Sequence, residues 1–191
     1  EGSLYFGALG GALFGIYLTQ YFPSFLHLPI SLLAGTLAGA LWAIIPAFLR
    51  AYWKVDEVVS TLMLNYIGIL LVDHLVYTYF QDIRDGSSAE RAFTLAVPET
   101  ARLPFISEKF GLTFSVVLGV ILALIFVWVY ARSVWGFESD MTGFNRRFAH
   151  YGGINITRMA VVSMVLAGAI AGLGGASESL GSYGRYISGF S

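Results

Sequence analysis

Between Thr113 and Arg132 the chain reads TFSVVLGVILALIFVWVYAR, an apolar run whose only charge is its closing arginine. A helix that crosses the ~30 Å hydrocarbon layer needs roughly 20 such residues. The same pattern recurs over Leu4–Tyr21, Ile30–Arg50, Glu57–Phe80 and Ile156–Ala176. Charged residues make up only 12% of the 191, against about 25% in soluble domains, and mean hydropathy is +0.71. The expectation is an all-α integral membrane protein: one domain over 1–191, a polytopic helical bundle with about five transmembrane helices. The surrounding lipid bilayer is its solvent.

Several function classes drop out. The eleven basic residues are scattered rather than striped, so nucleic acid is not an expected partner. With no cysteine and with His27, His74 and His150 far apart, no ligand-spaced metal set is visible. No GxxxxGK[ST] phosphate loop is present, so ATP-driven movement of a solute would need a separate ATPase subunit. Glu1 runs almost directly into an apolar pattern, and Ser191 closes a Gly/Ser-rich stretch. Both ends read as cut, and further helices are expected in a parent protein.

Glycines at 7, 11 and 15, at 35 and 39, and at 168 and 172 repeat the GxxxG step, which lets helix backbones approach closely in lipid. Phe22–Pro29, with two prolines and no basic residue, reads as a tight turn. Pro46 interrupts the second span near its end. The 81–112 stretch reads as an extracytoplasmic loop holding a hairpin or a small surface helix, and the tail from Ser177 as a flexible exit. Arg50, Lys54, Arg132, Arg146, Arg147 and Arg158 all gather at one end if the spans alternate, and that end is assigned to the cytoplasm.

The third span carries the polar residues. At 100° per residue, Glu57, Thr61, Asn65 and Gly68 share one helix face, and Asn65 lies about 12 Å deep at the usual helical rise. One reading is a hydrophilic wall for a polar solute, with Tyr66 offering an aromatic face. The other is helix–helix hydrogen bonding, preferred for Thr61 and left open for Asn65. Glu57 reads as a gate or as a charge at a helix N-terminus. Asp73 and His74 point about 100° apart and read as a solvated helix end. The serines of SLGSYG (179–184) lack a facing histidine for nucleophilic chemistry.

Trp135–Asn155, WGFESDMTGFNRRFAHYGGIN, is the long interior run that cannot sit in lipid. Its glycines 143, 152 and 153 flank a short basic segment, and a helix over Asn145–Tyr151 could move there as a rigid lever gripped by a partner.

Four stretches resemble one family in order along the chain. These are EGSLYFGALGGAL (1–13), WAIIPAFLRAYWKVDEVVSTLMLNYIGILLVD (42–73), WGFESDMTGFNRRFAHYGGINITRM (135–159) and LAGAIAGLGGASESLG (166–181). They look like the permeases of bacterial nucleoside ABC importers, a family shared with ribose, simple-sugar and branched-chain amino-acid importers. The resemblance implies a multi-pass protein of the bacterial inner membrane. It implies a second permease, homologous or identical, an ATP-binding subunit that consumes the ATP, and an extracytoplasmic substrate-binding lipoprotein. It makes 133–155 a cytoplasmic coupling loop, with Gly143, Asn145, Arg146, Arg147, His150, Tyr151, Gly152 and Gly153 as the ATPase-coupling residues. It also places Glu57, Thr61, Asn65 and Tyr66 close to the translocation path. Asp140 stands where the family pattern has a basic residue, and Phe148 and Gly152 replace small alanines. The chain is then a transport subunit with no catalytic residue and no bound cofactor. The rivals are a simple-sugar or branched-chain amino-acid permease, an intramembrane enzyme using Asp73–His74 or a loop serine, and a passive channel or scaffold.

Overall fold

The computed structural model of the chain describes residues 2–17, 21–80, 94–107 and 112–189. In chain order its helices are α1 (Gly2–Tyr17), α2 (Ser24–Trp53), α3 (Glu57–Leu75), α4 (Ser115–Arg132), α5 (Val134–Phe144), α6 (Arg146–Tyr151) and α7 (Ile156–Glu178). A π-helical turn extends α3 over Val76–Phe80, and another extends α7 over Ser179–Tyr183. With those extensions, α2, α3, α4 and α7 are long and apolar enough to cross a membrane. α1 has 16 residues and rises about 24 Å, so it is a shorter apolar helix. The five expected spans thus appear as four long helices and one short one.

The glycine steps build the centre. α1, α2 and α7 meet where Gly7, Gly35, Gly39, Gly168 and Gly172 interlock. A Cβ on Gly172 would lie 2.5 Å from the Gly35 carbonyl oxygen and 2.8 Å from Gly39 Cα, and one on Gly7 would overlap the Gly172 backbone. Three backbones touch there, which no larger side chain permits. The pairings also fix direction. Gly39 faces Gly168 and Gly35 faces Ala176, so α2 runs antiparallel to α7. Gly7 faces Gly172 and Gly11 faces Ala176, so α1 runs parallel to it. Gly68 of α3 crosses beside Gly2 and Trp42, and Trp42 stacks on Phe6 with ring centroids 4.2 Å apart. The last turn of α2, the first turn of α3, α5, α6 and the start of α7 therefore share one end of the bundle. Arg50, Lys54, Arg132, Arg146, Arg147 and Arg158 all lie there.

The opposite end is closed by side chains and loops. Val72, Val76, Leu180, Val97, Ala101, Leu103 and Tyr186 form one buried cluster with Ala8 and Ala12. The segment 94–103 pairs with the tail through Leu103 N–H to Leu180 O at 3.1 Å, Val97 N–H to Gly184 O at 2.8 Å and Thr94 N–H to Tyr186 O at 3.1 Å. α4 stands apart, with none of its residues buried. In water that surface would drive collapse, but acyl chains are as apolar as its leucines and valines. An apolar cleft of about 670 Å³ lies between α4 and α7, lined by residues such as Leu122, Phe126, Leu166 and Ile170.

Four expectations need correction. The turn expected over Phe22–Pro29 shrinks to Tyr21–Pro23, because α2 starts at Ser24 and carries Pro29 inside it. The His27 ring donates from Nε2 to the Phe22 carbonyl at 2.7 Å, holding the entering chain against the first turn. The span expected over Leu4–Tyr21 is observed as Gly2–Tyr17, with 18–20 outside the described residues. Over 177–189 the tail is not a flexible exit. It continues α7, and Ser179, Leu180 and Tyr186 are buried, because Ser and Gly, which loosen a chain in water, permit close helix contact here. The expected surface loop at 81–112 is partly described. Its hairpin is present, with β1 (Phe105–Ser107) antiparallel to β2 (Leu112–Thr113). Thr94, Val97, Ala101 and Leu103 are buried rather than lying on the surface, while 81–93 and 108–111 lie outside the described residues.

Candidate functional site

Thr61 and Leu64 of α3 border a small cavity at the basic end. Gly2, Ser3, Trp42, Pro46, Thr61 and Gly168 are among its lining residues, and its volume is about 130 Å³. Ligand pockets for drug-sized molecules run from about 300 Å³ upward, so this space is constricted. Four helices build it. α1 supplies Gly2 and Ser3, α2 Trp42 and Pro46, α3 Thr61, and α7 Gly168.

The four residues expected along a solute path separate into different surroundings. Thr61 lines the cavity, and its hydroxyl donates to the Glu57 carbonyl at 2.7 Å, so its bond stays within α3. Asn65 is half-buried, and its Oδ1 is buried with no hydrogen-bond partner among the described residues. An amide oxygen left so is costly, and among the described residues it is the one buried side-chain polar atom of α3 without a hydrogen-bond partner. Glu57 lies one turn below Thr61, and its carboxylate pairs with Arg50 Nε at 3.3 Å. Tyr66 is 68% exposed, and neither it nor Asn65 lines the cavity. Arg50, Ser3 and Trp42 were missed as site residues. The signal available was that Arg50 and Glu57 flank one short connection.

The hairpin that joins α2 to α3 is locally specified. Lys54 adopts φ 54° and its N–H bonds the Leu49 carbonyl, a left-handed stop at the end of a helix. Asp56 then caps α3, accepting from Val58 N–H at 2.8 Å.

The segment 133–155 is mostly helical. Ser133 caps α5 by accepting from Gly136 N–H at 3.1 Å. Trp135 packs edge-on to Tyr130 and Phe126, and the Tyr130 hydroxyl donates to Asp140 at 2.5 Å. Those contacts bind α5 back against the end of α4. Asn145 caps α6, accepting from Arg147 N–H and Phe148 N–H, both at 3.1 Å. Ala149 points inward and is buried. Gly153 has φ 80°, a conformation open to glycine, and it turns the chain toward α7. Gly143, Asn145, Arg146, Arg147, His150, Tyr151, Gly152 and Gly153 are all exposed. Phe144, Phe148 and Tyr151 are also exposed, so aromatic surface surrounds the basic residues.

The two places weighed for the rival enzyme reading are engaged otherwise. Asp73 accepts the Tyr186 hydroxyl at 3.0 Å and is half-buried, which corrects its reading as part of a solvated helix end. His74 is exposed. The Ser179 hydroxyl bonds the Ala8 and Ala176 carbonyls at 3.1 and 3.0 Å, so it fastens α7 to α1.

Residues 3–191 match the family described as the permease component of the branched-chain amino acid transport system. The chain belongs to this permease family. The chain is 32% identical to a guanosine ABC transporter permease protein, NupP, of Bacillus subtilis, over 84% of this chain and 46% of that protein. It is 28% identical to a nucleoside ABC transporter permease protein, NupB, of Lactococcus lactis, over 95% of this chain and 53% of that one. A glucose ABC transporter permease protein of Haloferax volcanii is 32% identical over 100% of this chain and 51% of its own length. The chain thus spans about half the length of the curated relatives it matches. No solved structure matches it. Family and apolar helices together make it a multi-pass membrane protein.

Proposed function

We propose that the chain is the membrane-embedded part of an ABC importer permease that moves a nucleoside across the bacterial inner membrane by alternating access. What carries this reading is the family match over 3–191, together with similarity to guanosine and nucleoside permeases over 84% and 95% of the chain. The chemistry is transport and not catalysis. ATP is consumed by a partner ATP-binding subunit, a second permease completes the path, and an extracytoplasmic lipoprotein delivers the solute.

In this reading the basic end faces the cytoplasm, in keeping with its arginines. α6 is the coupling helix. Arg146, Arg147, His150 and Tyr151 meet the ATPase, Asn145 holds the helix in register, and Gly143, Gly152 and Gly153 let it change angle. Ala149 and the Trp135–Tyr130–Asp140 contacts pass the push to α7 and α4. Glu57, Thr61 and Asn65 follow the path, and the unsatisfied amide oxygen of Asn65 suits a hydroxyl or exocyclic amine of a passing nucleoside. Tyr66 faces outward from this subunit and contributes where the second permease closes the path.

A simple-sugar permease is the second reading, favoured by the similarity to a glucose permease over the whole chain. The test is uptake by vesicles containing the complete transporter with its binding lipoprotein. Excess unlabelled nucleoside should abolish ATP-dependent accumulation of a radiolabelled nucleoside while excess hexose leaves it intact. No accumulation of nucleoside, with ATP-dependent accumulation of a radiolabelled hexose instead, would establish the sugar reading.

A further inference from the structure

We propose that the cleft between α4 and α7 is the seat of a further transmembrane helix, one that belongs to the same polypeptide and lies outside residues 1–191. The inference rests on the family match and not on which solute is carried.

The cleft has the length of a span. It measures about 670 Å³ and is lined by α4 from Ser115 to Val129 and by α7 from Val162 to Ser177. At the usual helical rise its walls run for about 21 Å along α4 and about 22 Å along α7. One acyl chain reaches about 15 Å, half of the hydrocarbon layer, and leaves part of such a cleft empty. Packed proteins keep few voids larger than a water molecule. α4 is also held at both ends rather than free to lean across. Phe114 N–H bonds the Pro104 carbonyl at 3.0 Å beside its outer end, and Trp135 packs on Tyr130 and Phe126 at its inner end.

The side chains of α4 are sorted by size around the helix. Ser115, Gly119 and Ala123 recur at every fourth residue, and all three line the cleft, so they form one stripe. Val116, Val120, Leu124 and Trp128 do not line it and are each more than half exposed. A lipid tail packs against large apolar side chains and has no need of small ones, whereas small residues at this spacing let a second helix backbone come close. Gly119 shows the vacancy most sharply. Each glycine of the central crossing would put an added Cβ within 3 Å of another backbone, but a Cβ on Gly119 meets nothing within 4 Å.

The relatives indicate where the occupant comes from. This chain matches 46%, 53% and 51% of the lengths of three of them, so in each about as much polypeptide again accompanies the matched part. A helix from that part, laid along Ser115, Gly119 and Ala123, would cover α4, which has no buried residue of its own among those described.

Leu122 lines the same cleft, so a diazirine analogue of leucine placed there probes it with little change of shape. The complete transporter is irradiated in its membrane, and the adducts are mapped by mass spectrometry after digestion. The expected adduct joins position 122 to an apolar segment outside 1–191, in a product that keeps the mass of one permease when denatured. A product of two permease masses would make the cleft a contact between subunits. Adducts with phospholipid alone, or with α7 alone, would leave it without a helix. Each of these overturns the proposal. Gly119→Leu, in protein shown to insert normally, should lose the helix adduct, and an undiminished adduct would contradict close approach along the stripe. No step of this test requires nucleoside to move, so it stands or falls apart from the substrate reading.

Discussion

The phenol of Tyr186 donates its hydrogen to Asp73 at 3.0 Å, joining the end of the tail to the far end of α3. Tyr186 is fully buried. Burial, and then the nearby Asp73 carboxylate, push its ionisation well above the usual tyrosine range, so the hydroxyl remains a donor. Tyr186→Phe keeps the ring packed and leaves Asp73 half-buried without this donor, a loss of about 1–3 kcal/mol. Thermal unfolding in detergent should show a lowered midpoint. The neutral Asp73→Asn, which can still accept from the phenol, should lose less. An unchanged midpoint for Tyr186→Phe would mean that the tail is held by its backbone bonds alone.

Gly172 and Gly174 separate a packing glycine from a permissive one on the same helix. Gly172→Ala would press its Cβ between α2 backbone atoms at 2.5 to 3.0 Å, whereas a Cβ at Gly174 meets nothing within 4 Å. The first substitution should destabilise the bundle by about 1–3 kcal/mol, the usual cost of overpacking. The second should be neutral or slightly stabilising, since alanine favours a helix over glycine by up to about 1 kcal/mol. Paired melting curves decide it, and equal effects would contradict the three-backbone crossing.

These contacts also show what the sequence made legible. Small residues at a GxxxG step have one main use inside lipid, so the crossing of α1, α2 and α7 could be anticipated from spacing. A short helix over Asn145–Tyr151 was expected through the family resemblance, and the glycines that flank it fit that expectation. The Tyr186–Asp73 bond was not, because its partners lie 113 positions apart and each alone looks like a solvated end. The start of α2 was misplaced because two prolines suggest a turn. Proline inside a helix removes one backbone bond, and the rest of the helix can tolerate that. Arg50 was noticed as a flanking charge, but its partnership with Glu57 depends on the left-handed turn at Lys54, which residue type did not announce. Of Thr61, Asn65 and Tyr66 only Thr61 lines the cavity, although their closeness in sequence suggested a shared site.

Asn145 should matter for coupling through the helix it caps. Asn145→Ala removes an acceptor shared by two backbone N–H groups and should cost α6 about 1 kcal/mol. Lever-like transmission would weaken: ATP hydrolysis by the complete transporter should continue while solute moved per ATP falls. Asn145→Asp, an equally good cap, should restore the ratio. If Asp fails as Ala does, Asn145 contacts the partner directly and is not mainly a cap.

Gly153 should be the least replaceable of the three glycines around α6. Its φ of 80° disfavours any side chain, at a cost of about 1 kcal/mol or more. Gly143 has open space around it and no positive φ. Gly153→Ala should therefore lower both stability and transport, and Gly143→Ala should leave stability intact. Similar melting points for the two would show that the turn into α7 adapts.

The central claim is that exposed residues on α6 receive the push that moves a polar solute through the bundle. The most direct measurement is ATP-driven uptake of a radiolabelled nucleoside by vesicles containing the complete transporter, comparing the native chain with Arg146→Glu/Arg147→Glu. Insertion is checked by the amount of folded protein in the membrane. The account predicts normal insertion, loss of ATPase binding and loss of uptake in the charge-reversed protein. Undiminished uptake with both arginines reversed, or uptake that persists with no ATPase subunit present, would contradict it.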